Sequence, residues 1–542
     1  MGALCALICV VDGCRTGRKD ATPVAGSAVW RGGTLHVRCE PPNDLDPVSI
    51  DEVYESVVLR QIYQGLLRFD PSLRILPCLA ASWTISPDGL RYTFNLRTGV
   101  QFHDGSTLTA RDVVFSLDRC LAHDRDGQSL AATYLLTIRG ARAYHDGHAL
   151  SVDGIRASDD HTVVIELERP CPVLLKVLAM DQTVVISRAA FESGGTDQLE
   201  HAPVGSGPFR FIRRRPDNGV LLARFDGFWE TPAALDTISF QPLKESGKKG
   251  AKEAEALERN ELQLAPLSTG TSARARELGL SIYRCPELSL SFLGLRLDRP
   301  PFDIPQVRRA ALLAIRREPL REVDPEGIVP VFGLLPPGMP GREPVDRMPR
   351  TDPAEARRLL VEAGHPRGRG LPQIKLGTSR GSQAIEKITQ GIRADLESIG
   401  LSVVVVPCTW RQLDSLTTRG DLQAFMMSWV ADLPDPDAFL YPICHTNGES
   451  NLFGYSSTEV DSLLALGRVL VPGPERNAVY AKLQDLLLRD VPLIPLYHSS
   501  IAYAWRPEVH GVEIGPSGFA MINFSQIYID PPELARSQEE RQ

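Results

Sequence analysis

Three aspartates, Asp432, Asp435 and Asp437, follow the apolar run Phe425 to Val430. A run of that length and composition reads as a buried strand. Asp432 then stands at a strand's carboxyl end, the place where α/β sheets bind ligands. A carboxylate partly shielded from water can hold an ammonium group by charge-assisted hydrogen bonds. Trp429, three residues earlier, offers a flat apolar wall and one N–H donor. Spacing alone equally allows a solvated loop aspartate with Trp429 in the core. A cation site on the three aspartates is a further option, but the intervening prolines and the missing EF-hand glycine favour a rigid turn. Other pairings carry weaker chemistry. His145-Asp146-Gly147-His148 falls in a turn before Gly154-Ile155 and resembles a metal pair only superficially. His103-Asp104-Gly105 resembles a metal pair just as superficially. Gly205-Ser206-Gly207 lacks the glycines two residues either side of serine that a nucleophile elbow needs. No Walker or dinucleotide loop is present, and no CxxC pair occurs among the ten cysteines. The expectation is a chain that is not an enzyme and holds no cofactor or metal.

The elements that must position these residues can be read from periodicity. Arg91 to Arg97 alternates, with Tyr92, Phe94 and Leu96 on one face, as a half-buried strand does. His161 to Glu168 alternates through Val163, Ile165 and Leu167. Between them Thr109 and Asp112 form a capping box for a helix whose apolar face is Val113, Val114, Leu117 and Leu121. Later, Asp352-Pro353-Ala354-Glu355 opens a helix that Gly364 ends. Ile374 to Thr378 reads as a strand, Ile385 to Ile399 as a helix, and Ser402 to Val406 as a β-branched strand. That order predicts a βαβ unit with a parallel pair. Glu245 to Glu258 is charged and predicts a solvated helix or loop. Leu334 to Pro344, rich in proline and glycine, predicts an irregular loop.

The bulk numbers set the frame. A chain of 542 residues exceeds what one core supports, so two or three domains are expected. A net charge of −8 and a pI near 5.8 argue against a nucleic-acid partner. No apolar stretch reaches the length of a membrane span. Ala3 to Val11 is a short apolar run of signal-peptide type, and Val11-Asp12-Gly13-Cys14 is similar to a bacterial lipobox with Cys14 as the lipidated residue. Arg15 to Ser27 then reads as a tether. The location expected from this is periplasmic or cell-surface, with membrane association through a lipid anchor at Cys14. Seven cysteines remain beyond that segment, an odd number, so at least one thiol is unpaired within a monomer.

The order of motifs resembles a known family. Leu79-Ala80-Ala81-Ser82-Trp83, Ser86-Pro87-Asp88-Gly89, Tyr92-Thr93-Phe94, Phe102-His103-Asp104-Gly105 and Leu108 to Val113 are similar to the signature of family 5 solute-binding proteins of ABC importers. Val204 to Phe209 resembles the family's glycine turn. Pro301-Phe302-Asp303 with Val307 to Ala310 resembles the opening of its second lobe, Pro336-Pro337-Gly338 its loop, and Trp429 to Leu440 its cleft segment. The resemblance spans about Leu35 to Ile529. It departs at Leu433, where tyrosine is common, at Gly294-Leu295, where an asparagine is usual, and at Ala314 to Glu318.

The resemblance implies an α/β protein of the type II periplasmic binding protein-like fold, mixed α+β in an inserted β-rich domain, with two lobes joined by a hinge of two crossing strands. It implies a leader and tether over 1–30 and a discontinuous domain I over 31–50, 173–284 and 491–530. Domain II is then an insertion over 51–172, and domain III the second lobe over 285–490. The implied ligand is a peptide or another small solute, passed to the membrane subunits of an ABC permease by a monomeric receptor. It places Asp432 on the ligand's ammonium with Trp429 and Ala431 beside it. Glu52, Val53 and Tyr54 present first-lobe backbone and side chains in a strand-addition mode. Arg380 and Arg411 are alternative partners for a ligand carboxylate. A nickel chelate, oligosaccharide, haem or opine remains the alternative ligand, and a cleft hydrolase the alternative class.

Overall fold

The computed structural model describes residues 30–50, 53–122, 130–243, 252–268, 271–339, 341–342, 345–431, 433–518 and 521–531. The alternating segments fold as strands. Arg91–Leu96 buries Tyr92, Phe94 and Leu96 and lies between Ala80–Ile85 and Thr162–Glu166 in a four-stranded antiparallel sheet edged by Ile155–Asp159. The helix Ala110–Leu121 starts as its capping box dictates, with the Thr109 N–H donating to Asp112 Oδ2 at 2.8 Å. Its Val113, Leu117 and Leu121 pack onto that sheet, in an apolar cluster drawn mostly from Leu66 to Val185 and joined by Leu433 and Ala438.

A second cluster gathers Leu35, Val37, Phe209, Phe240 and Tyr503 with the apolar side of helix Val53–Ile62. Sequence-distant segments therefore share one core, and the last of them comes from the far end of the chain. Two further clusters fill the second lobe on opposite faces of its sheet. There Ile374–Ser379 pairs in parallel with Val403–Cys408 and with Ala424–Val430. The helix Gln383–Ser398 connects the first pair, which is the predicted βαβ unit.

One twelve-stranded sheet runs through both lobes. Its central strand, Leu493–Trp505, has 13 residues and crosses from one lobe to the other. It pairs with Ser289–Leu295 on the second-lobe side, and with Ser281–Pro286 and Leu264–Leu267 on the first-lobe side. The segment Ser281 to Leu295 crosses beside it, so two antiparallel strands connect the lobes.

Two expectations need correction in detail. The charged stretch ends in a helix, Lys252–Glu258, whose Ala254, Ala256 and Leu257 are fully or almost fully buried. Glu253 is buried too, accepting from Ser268 Oγ at 2.6 Å. Its period is amphipathic, and charge count concealed that. The proline-rich loop is irregular but not peripheral: Leu334, Leu335 and Met339 enter the second-lobe core, and Gln484 Oε1 accepts from the Leu334 and Leu335 amides at 3.0 and 3.2 Å. The seven cysteines from Cys39 to Cys444 are all buried, and none forms a disulfide among the described residues.

Candidate functional site

Strand direction determines where the lobes meet. The hinge strand Leu493–Trp505 runs from the second lobe toward the first. Ala424–Val430 is antiparallel to Ser289–Leu295, which is antiparallel to the hinge strand. It therefore points its carboxyl end, with Trp429 and Ala431, toward the first lobe, and its two parallel neighbours do the same. Leu264–Leu267 is antiparallel to the hinge strand and Thr34–Arg38 is parallel to Leu264–Leu267, so both point toward the second lobe. Carboxyl ends from the two lobes thus face each other across the hinge, the arrangement in which α/β sheets present ligand-binding loops.

A cavity of about 470 Å³ lies there. The first lobe supplies Leu267, Ser268, Arg276 and Arg284, the hinge Glu287 and Tyr497, and the second lobe the 324–328 loop and the start of helix Gln383–Ser398 with Ile385 and Ile388. Arg276 and Arg284 both pair with Glu326 across the lobes, at 2.7 and 2.8 Å. Burial pushes the Glu287 carboxyl up to about 7, against a hydrogen bond from Ser289 that lowers it. Beside it, burial lowers His498 to about 4. The His498 ring is fully buried and its Nδ1 lies 2.8 Å from the Ser289 carbonyl.

Of the ligand-site residues singled out from sequence, Trp429, Ala431, Val53 and Tyr54 are among those described. Trp429 is half-buried against the second-lobe core, and its Nε1–H is buried with no hydrogen-bond partner among the described residues. The Ala431 amide donates to the Leu288 carbonyl at 2.8 Å, extending the strand pair by one step. Tyr54 lies in the first turn of helix Val53–Ile62. Its hydroxyl accepts from Arg38 at 3.4 Å, at the carboxyl end of Thr34–Arg38. Val53 begins that helix. Asp432, Glu52 and Cys14 lie outside the described residues. Trp429, Ala431 and Tyr54 do not line the 470 Å³ cavity. Arg380 and Arg411 are exposed just past the carboxyl ends of Ile374–Ser379 and Val403–Cys408, with no ion pair among the described residues.

Sequence reasoning missed three contributors. Trp410 is 62% exposed at the carboxyl end of Val403–Cys408; Thr409, a cap straight after a β-branched run, was the available signal. Glu287 sits between two strand runs and had no motif around it. The third is the set of cations on Asp435 and Asp437, the acids that the prolines already assigned to a rigid turn. Leu433 is buried in the cluster of the inserted sheet. Asp435, fully buried, caps helix Pro436–Cys444 and accepts from Arg476 at 2.7 and 3.0 Å and from Lys176 Nζ at 2.8 Å. Burial alone would raise the Asp435 carboxyl; the Lys176 and Arg476 cations outweigh it and hold it below the ordinary value. Asp437 pairs with Arg468 at 2.9 Å. These two acids are committed to ion pairs with basic side chains, in a rigid turn.

The weaker motifs resolve as structure. The Gly205 N–H donates to His103 Nδ1 at 3.3 Å, and His103 Nε2 lies 3.0 Å from the Gly207 carbonyl. A Cβ on Gly205 would stand 2.0 Å from the Ile62 carbonyl oxygen, so this turn packs directly on the end of helix Val53–Ile62. No group of three His, Cys, Asp or Glu side chains among the described residues could hold a metal ion. No described helix is long and apolar enough to cross a membrane.

Comparison with known proteins gives a consistent picture. Residues 74–451 match the model of the bacterial extracellular solute-binding proteins, family 5. The dipeptide-binding protein of Escherichia coli K12 is 28% identical over 477 residues, covering 84% of this chain and 87% of its own. The glutathione-binding protein GsiB of Salmonella choleraesuis is 28% identical over 490 residues, covering 88% and 91%. Among solved structures, the ABC transporter-associated periplasmic binding protein DppA from Helicobacter pylori, in complex with the peptide STSA, is 26% identical with a TM-score of 0.77. It covers 93% of this chain and 99% of its own. The substrate-binding protein CtaP from Listeria monocytogenes, 22% identical with a TM-score of 0.81, covers 92% of this chain and 99% of its own and shares the fold.

Proposed function

The chain belongs to the bacterial extracellular solute-binding proteins of family 5, and from that premise we propose that it captures peptides or peptide-like solutes between its lobes for an ABC permease. The observation that carries this reading is the cavity of about 470 Å³ between facing strand ends at a two-stranded hinge, a volume within the range of small-molecule sites. Relatives named for dipeptides, glutathione and a bound peptide support the ligand class. Asp432 at the carboxyl end of Ala424–Val430 is the anchor for the ligand ammonium, with Trp429 and Ala431 beside it and Glu52, Val53 and Tyr54 facing it from the first lobe. Closure is a hinge motion, and the protein works without turnover as a monomer. Cys14 is the lipidation site of the mature form.

The test is to purify the protein from its native envelope and identify what it carries by native mass spectrometry, then titrate that compound into ligand-free protein. A di- to tetrapeptide that binds unchanged supports the reading. A co-purified sugar or metal chelate that binds while peptides do not would replace the ligand class. Release of a cleaved product would replace the receptor with an enzyme.

A further inference from the structure

Glu287 lines the hinge cavity with no cation opposite it among the described residues. It sits where Ser281–Pro286 passes into Ser289–Leu295, the crossing point between lobes. Of the other acids there, Glu326 faces Arg276 and Arg284, and Asp324 Oδ1 accepts the Gly327 amide at 2.9 Å within its own loop. The same lining holds the apolar side chains Leu267, Ile328, Ile385, Ile388 and Ile501 beside several serines. An ionised carboxylate partly shielded from water, with a hydroxyl and no cation as its partner, is costly. A ligand that brings a cation on an apolar stem would supply what is missing.

We propose that Glu287 is a specificity-determining residue of the interlobe site, and that the hinge cavity takes a ligand side chain ending in an ammonium or guanidinium group. The proposal rests on the reading that the interlobe region binds solute. It adds a second anionic contact on the hinge itself, separate from Asp432, and selects basic peptides or amine-bearing analogues within the broader class. The Ile385 and Ile388 side chains hold the methylenes, Glu287 accepts from the head group, and the Ser289 hydroxyl keeps the carboxylate oriented.

The experiment is calorimetry at pH 8.0 with alanine tripeptides carrying one lysine, at each of the three positions, and with their norleucine counterparts. Wild type is expected to prefer lysine over norleucine at one position by about tenfold or more, as a charge-assisted contact requires. In Glu287→Gln, checked for folding by circular dichroism, that preference falls to within about twofold. If peptides bind both proteins with no lysine preference in either, the inference is overturned while the peptide reading stands. If no tripeptide binds wild type, thermal melts with n-pentylammonium and n-pentanol decide. Stabilisation by the ammonium alone, lost in Glu287→Gln, upholds Glu287 while the peptide class falls. Equal response of both proteins overturns the inference.

Discussion

Two buried groups at the hinge pull stability in opposite directions with pH. His498 titrates near 4 in the fold against an ordinary 6.5, so the unfolded chain binds the extra proton and stability falls as pH drops from about 6.5 to 4. Glu287 titrates near 7 in the fold. The folded state therefore holds the extra proton, and stability falls as pH rises from about 4.5 to 7. The other charged and titratable groups lining the same cavity are Arg276, Arg284, Asp324, Glu326 and Tyr497. The expected outcome is that Glu287→Gln melts higher than wild type at pH 8 and within about a degree of it at pH 5, as scanning calorimetry would read. A lower melting point at pH 8 would mean the carboxylate has a cation partner already. A gain in stability coupled to a loss of lysine selectivity is the signature of a residue kept for binding. At the other anchor, Asp432→Ala is expected to weaken peptide binding by about tenfold or more with the melting point unchanged; an unaltered titration would take Asp432 out of the site.

At the scale of elements, the turn at Leu433 to Asp437 connects the cleft segment to the rest of the protein. Asp435 is held by a bidentate Arg476 from helix Pro474–Asp490 and by Lys176 from the short helix Leu174–Val177. Arg476 is 4% exposed. Arg476→Ala would leave a buried carboxylate short of its main partner, a loss of about 3–5 kcal/mol, measurable by urea unfolding. A change under about 1 kcal/mol would show that Lys176 alone suffices. Much of this architecture was legible beforehand: the capping box at Thr109, the alternation of Arg91 to Leu96, and the parallel 374–379 and 403–408 pair all rest on periods of 2 and 3.6. The partners of Asp435 were not legible, because Lys176 and Arg476 are brought together only by tertiary packing of separate segments. Glu287 was hidden for the same reason: a single acid between strands looks solvated until the opposite lobe covers it. The Lys252–Glu258 helix was misjudged because its buried alanines are small and its charges conspicuous. For the cleft, the resemblance picked out Trp429 to Leu440 and the prolines favoured a rigid turn, but the cations that hold Asp435 and Asp437 there had no local signal.

At the scale of the whole molecule, ion pairs tie the two lobes together at two separate places. On the cavity side Glu326 of the second lobe pairs with Arg276 and Arg284 of the first. At the cleft segment Lys176 of the short helix Leu174–Val177 pairs with second-lobe Asp435. Opening the hinge must break both, and each is partly or wholly shielded from water. A closed form stabilised without ligand raises apparent affinity, because the observed dissociation constant is the intrinsic one divided by the fraction already competent to bind. Releasing the ties is therefore expected to weaken binding by lowering the closed fraction, with Lys176 outside the cavity and Glu326 in its lining. Lys176→Met leaves Asp435 its Arg476 partner, and Glu326→Gln keeps the shape of the acid. In the double variant small-angle scattering is expected to give a larger radius of gyration for the ligand-free protein and an unchanged one at saturating peptide, with affinity lowered about three- to tenfold. A ligand-free scattering curve identical to wild type, with unchanged affinity, would mean the two ties are surface pairs of negligible net effect. An altered radius in the saturated state would mean they belong to the binding geometry itself.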